Sequence, residues 1–138
     1  MRVEVVSPER VLYSGESTMV LTRTLDGEIA FQANHAPFLG ALAECHTKIY
    51  LPEGGAQDLA VHGGFVEVSH NTVTILSDVA ELAEDIDVER ARRAKDRAEA
   101  AIGHEHDAGV EAALRRAHAR LNAAGGVDGS GGGVRPSH

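Results

Sequence analysis

Gly64-Phe65-Val66-Glu67-Val68-Ser69, then His70-Asn71, then Thr72-Val73-Thr74-Ile75-Leu76-Ser77 is the run on which the fold turns. Val66 and Val68 alternate with Glu67, and Val73 and Ile75 alternate with Thr72 and Thr74. A period of two belongs to a strand with one buried face and one wet face. The two polar residues between the runs make a tight hairpin connection. Gly63-Gly64, at the start of the first strand, reads as a strand corner, as a place of close approach by a partner chain, or as a bulge with no contact.

The same signature extends upstream in shorter pieces. In Arg2-Val3-Glu4-Val5-Val6-Ser7, Val3 and Val5 share a face, and Ser7-Pro8-Glu9 supplies a turn. Val11-Leu12-Tyr13-Ser14-Gly15, Thr18-Met19-Val20-Leu21-Thr22 and Glu28-Ile29-Ala30-Phe31 follow as short strands, the last ended by Asn34-His35-Ala36-Pro37. Lys48-Ile49-Tyr50-Leu51 runs into Pro52-Glu53-Gly54-Gly55, a strong turn signal. Many short strands without intervening helices predict a sandwich or barrel.

Downstream the period changes. Asp87 is placed to cap Val88-Glu89-Arg90-Ala91, with Ile86 as a staple onto Ala91. Ala91, Ala94, Ala98 and Ala101 form one helical stripe, and Val110, Leu114, Ala117 and Leu121 a second. Gly103 stops the first helix and Gly125-Gly126 the second, so an antiparallel hairpin is expected. Alanine stripes bury little area, and at about 25 cal/mol per Å2 such a hairpin is held weakly and can detach from the sheet. The organisation expected is a β body over 1–85, a helical hairpin over 86–124 and a disordered, glycine-rich tail over 125–138.

The composition fits two modules. Net charge is −8, with 13 Lys and Arg against 21 Asp and Glu, and all of the acidic excess precedes Ile86. An acidic body repels phosphates, which argues against nucleic acid as a partner. Aromatics are 4% with no Trp, so the core rests on Val, Leu, Ile and Ala. The single cysteine, Cys45, forms no internal disulfide. No apolar run approaches a membrane span and the N-terminus lacks a secretory pattern, so a cytosolic or membrane-peripheral chain is expected.

Four blocks carry a family resemblance. Val5-Val6-Ser7-Pro8-Glu9-Arg10-Val11-Leu12-Tyr13-Ser14-Gly15-Glu16 resembles the opening of the F-type ATP synthase epsilon subunit family. Gly27-Glu28-Ile29 with Asn34-His35-Ala36-Pro37 resembles a second signature, and Gly63 to Val68 with Asn71 to Asp78 a third. Ile86-Asp87-Val88-Glu89-Arg90-Ala91 opens a helical hairpin where the family has one. The ordered set covers residues 3 to 123. It implies a flattened ten-stranded β-sandwich followed by two C-terminal helices. It implies a non-catalytic central-stalk rotor subunit, peripheral on the cytoplasmic side of the cell membrane, that couples proton flow to ATP synthesis. The implied partners are the gamma subunit and the c-subunit ring, with the alpha and beta subunits added when the helices rise to inhibit ATP hydrolysis. Ala30-Phe31-Gln32-Ala33 departs from the family, which often has Gly and Pro after the glutamate.

The resemblance also implies residue roles. Glu28 and His35 fall in the block that faces the c ring, where a carboxylate can pair with a ring arginine; a solvated turn carboxylate beside a loop-capping histidine is the plainer reading. Glu81, Ile86, Asp87, Arg90 and Ala91 fall on a nucleotide-binding motif seen in some bacterial members, with Arg97 and Arg120 as further phosphate partners. Guanidinium forks suit phosphate oxygens, and ATP would act there as a regulatory ligand; the same residues also serve as a helix start. Arg92, Arg93, Arg115, Arg116 and Arg120 give the hairpin a basic surface matching the positions that meet the beta subunit. His104-Glu105-His106-Asp107 reads as a solvated interhelix turn and not a metal site, because no further ligand cluster supports it. A small β-sandwich hydrolase is the rival enzyme reading, and no nucleophile, base and orienter are legible for it.

Overall fold

The computed structural model describes residues 1–102 and 108–125. The Gly103 stop, the His104 to Asp107 turn and the tail from Gly126 lie outside the described residues. Eight strands precede the helices: β1 (Arg2–Val6), β2 (Val11–Glu16), β3 (Met19–Thr24), β4 (Gly27–Gln32), β5 (Phe38–Tyr50), β6 (Ala56–Ser69), β7 (Thr72–Leu76) and β8 (Ala80–Leu82). A 3-10 turn (Ala83–Asp85) leads to α1 (Val88–Ile102) and α2 (Ala108–Gly125). Gly125 thus closes a helix and does not begin the tail.

The ten-strand count is reached through two long strands. β5 has 13 residues and β6 has 14, and they pair along almost their whole length. The C-terminal half of β6 pairs β7 and its N-terminal half pairs β8. One layer is therefore β2-β1-β7 with one half of β6 and β5, and the other is β8, the remaining halves and β3-β4. Counting each half once gives five strands per layer.

The bend between halves falls at Gly63 and Gly64, at φ 86° and 112°. A Cβ on Gly64 would lie 2.1 Å from the Leu76 carbonyl oxygen, which favours the corner reading. The His70-Asn71 connection has φ 53° and 59°, the paired positive angles of a tight hairpin turn. Inward positions then make one core. Val3, Val5, Val66, Val68, Val73 and Ile75 meet Val20, Phe31, Ile49, Leu59 and Val61 between the layers. Thr22 and Thr47 share a 2.8 Å hydrogen bond there, with Cys45 beside them.

The short Lys48 to Leu51 strand of the sequence reading is the end of a much longer element. Residues 38–47 and 56–63 are strand as well, which the sequence hides because alanines, glycines and buried polar groups blur the alternation. The helix stripes also shift. Ala91 and Ala98 are buried as expected, but of the second stripe only Ala117 is. Ala119 and Ala123 are buried too, packing with Ala60 and Ile86 against the sandwich.

Candidate functional site between hairpin and sandwich

Partners in an antiparallel ladder share a face, so register alone assembles the site. Glu44 pairs with His62, His46 with Ala60, Lys48 with Asp58 and Ala60 with Glu81. Their neighbours Cys45, Ile49, Leu59 and Val61 point into the core, leaving these charged groups on the outer face of the second layer. α2 lies across that face, and α1 packs on α2. The hairpin is therefore docked on the sandwich.

Ion pairs bridge the arm and the sheet. Arg120 Nε donates to Glu81 Oε1 at 2.6 Å. Arg115 Nε donates to Glu44 Oε1 at 3.2 Å, and Arg116 Nη1 stands 3.7 Å from Glu44 Oε2. His62 Nε2 donates to the same Glu81 Oε1 at 3.1 Å. Burial alone would raise the Glu81 carboxyl, but the hydrogen bonds from Arg120 and His62 outweigh it and hold the group below its ordinary range. Burial pushes the His62 imidazole down, against the pull of Glu81, and Arg120 adds to the push. Nearby, His46 Nε2 bonds Asp58 Oδ1 at 2.6 Å, with Lys48 Nζ at 3.9 Å from the same oxygen. Gln57 Nε2 donates to Glu84 Oε1 at 3.0 Å, tying the 3-10 turn to β6 and holding that carboxyl low.

The residues singled out from sequence are distributed unevenly. Glu81 and Arg120 come together, and Ile86 is buried between α2 and the sheet. Asp87 caps α1, its Oδ1 accepting from the Arg90 amide at 3.0 Å. Ala91 is buried, while Arg90, Arg93 and Arg97 are exposed on α1. Arg92 pairs with Glu89 one turn away. Glu28 and His35 stand at opposite ends of β4. Glu28 lines a cavity of about 170 Å3 with Arg23, Glu44, Arg115 and His118; His35 packs edge-on against Phe31, centroids 5.0 Å apart, its Nδ1 2.7 Å from the Ala36 carbonyl oxygen.

Glu44 and His62 were missed, because neither 38–47 nor 56–63 reads as strand from sequence. A second missed feature lies on the opposite layer. Val11 pairs with Val6, Val6 with Leu76 and Leu76 with Phe65, an apolar row across four strands. Val11 is 58%, Leu76 47% and Phe65 55% exposed. The signal lies in the alternation itself, since Phe65 and Leu76 fall on the wet face of the β6–β7 hairpin.

A β-sandwich with an apolar row on one outer face and a helical hairpin ion-paired to the other defines the class: a sandwich protein with a docked helical arm. Residues 1–83 match the family described as ATP synthase, Delta/Epsilon chain, beta-sandwich domain, and residues 84–125 match its long alpha-helix domain. The ATP synthase epsilon chain of Thermobifida fusca (strain YX) is 48% identical over 126 residues, covering 88% of this chain and 90% of that one. That of Brevibacillus brevis is 50% identical over 99 residues, covering 72% and 75%. A chain in a cryo-EM structure of the Euglena gracilis mitochondrial ATP synthase (OSCP, F1 and c-ring) superposes with a TM-score of 0.76 at 24% identity, covering 88% and 79%, which shows the shared fold. The chain belongs to the delta/epsilon chain family of ATP synthase, as a bacterial F-type epsilon subunit, and is a non-catalytic part of that enzyme.

Proposed function

We propose that the sandwich grips the gamma subunit through the Val11, Val6, Leu76 and Phe65 row and turns with it, while the hairpin is a movable arm that restrains ATP hydrolysis. The observation that carries this reading is the division of labour between the two outer faces. One presents a contiguous apolar row, the mark of a protein-binding surface. The other is closed by helices held through ion pairs and alanine contacts, a combination weak enough to exchange. Residues 1–85 and 86–124 act as two modules. The turn bearing His35 rests on the c-subunit ring, with Glu28 at the far end of β4 facing α2, and the protein sits peripherally on the cytoplasmic side of the cell membrane through the complex alone. No helix among the described residues is long and apolar enough to cross a membrane.

Raising the arm trades partners. Arg115, Arg116 and Arg120 leave Glu44 and Glu81 and, with Arg92 and Arg93, meet acidic groups of the beta subunit in the alpha and beta head. Co-purification with tagged gamma subunit tests the grip. Phe65→Thr with Leu76→Lys should abolish capture while leaving the free energy of urea unfolding within about 1 kcal/mol of the parent, since both sites are largely exposed and no like charges are set opposite each other; undiminished capture would overturn the assignment of this face. A second reading, nucleotide sensing by the hairpin, is favoured by the approach of Arg120 to Glu81, with Asp87, Arg90 and Arg97 as the remaining ligands. Titration with ATP decides it, and no binding at millimolar concentration removes it.

A further inference from the structure

His62 lies beside the ion pair that docks the arm, sharing Glu81 with Arg120. Its side chain is 3% exposed. Nε2 donates to Glu81, and Nδ1 is buried with no hydrogen-bond partner. In the neutral ring Nδ1 carries only a lone pair, which tolerates that position. A proton there would be a buried N–H with no acceptor, a penalised arrangement. The charged groups around it come from three elements: Glu81 on β8, Glu44 opposite on β5, and on α2 Arg120 at Glu81 with Arg115 and Arg116 at Glu44. Both carboxylates thus spend their charge on arginines of the arm.

Lifting α2 reverses each term. The guanidinium leaves, and His62 is left between two carboxylates that have lost their arginines, surroundings that favour imidazolium. We propose that the hairpin dock is a proton-sensitive latch: α2 closes over His62 only while the ring is neutral, so falling pH releases the arm from the sandwich. This rests on the reading that the arm moves. The docked form binds fewer protons than the released form, so docking is at full strength above the released ring's pKa. It weakens as pH falls below that point, by up to about tenfold per pH unit for one proton. The depression of His62 by burial in the docked form agrees in sign. His46, its Nδ1 likewise buried without a partner, and His118 of α2 line the neighbouring cavity with Glu28 and Glu44, so the His62→Gln comparison is what assigns the latch to His62.

The test uses the full chain with Cys45→Ser, Glu9→Cys and Glu111→Cys, spin-labelled at the two introduced cysteines, both of which replace exposed residues. Pulsed EPR should give a short docked distance and a long released one. The released-to-docked ratio should rise up to tenfold per unit between about pH 6.5 and pH 5.5. In His62→Gln, which keeps a donor for Glu81 and cannot charge, the ratio should be flat. A single distance at every pH overturns the moving arm and the latch with it. Two populations whose ratio ignores pH, or a His62→Gln chain that follows pH like its parent, overturn the latch alone. If His62→Gln never docks, the His62 Cε1 proton titration by NMR decides: the midpoint should rise in Arg120→Ala relative to the unsubstituted chain, and an equal midpoint overturns the proposal.

Discussion

Gly64 sits where β6 bends from one layer into the other, with φ 112° and the Leu76 carbonyl oxygen 2.1 Å from any added Cβ. Gly63 has φ 86°, yet its nearest atom to an added Cβ is 3.9 Å away. The two glycines therefore differ in what they resist. Gly63→Ala carries only backbone strain and should cost about 1 kcal/mol, whereas Gly64→Ala adds a clash with fixed backbone and should cost about 3 kcal/mol. Urea unfolding of the two variants checks the order. The sequence marked the pair as special but left a corner and a bulge equally open, because φ and the position of Leu76 are set by strands that fold over one another. Asp87 is the opposite case. Its cap was legible, since a side-chain oxygen three residues from the Arg90 amide is a local matter.

The short elements with clean alternation were readable: β1, β2, β3, β4 and β7 fall within a few residues of where periodicity puts them. The long strands were not. β5 and β6 change which face is buried as they pass from layer to layer, so no single period-two pattern runs through them. The helices show a related gap. Alanines were seen on α2, but which stripe meets the sheet depends on where the arm lies, and that fell to Ala119 and Ala123 against Ala60. Ala60 is fully buried against Ile86, Ala119 and Ala123. Ala60→Leu should push α2 off while sparing the core on the other face of the strand: the docked distance disappears, and the unfolding midpoint of the sandwich changes by less than about 1 kcal/mol. A retained docked distance would mean that the arm has room the packing does not show.

For the molecule as a whole, the sandwich holds its own core and the arm adds only a second, small cluster. Deleting residues from Ile86 onward should leave a folded body that still joins gamma, and the reassembled enzyme should hydrolyse ATP faster. Unchanged hydrolysis would defeat the brake while leaving the coupling role standing. By itself the sequence determined the two modules, the β body ahead of the helices, and the family, because periodicity and short ordered motifs are local and survive without coordinates. The tertiary structure alone decided that the arm lies docked, that Arg115, Arg116 and Arg120 answer Glu44 and Glu81, and that His62 lies beneath them. Those partners are 19 to 72 residues apart along the chain, and only the folding of β5 and β6 into both layers brings them within reach of a single helix.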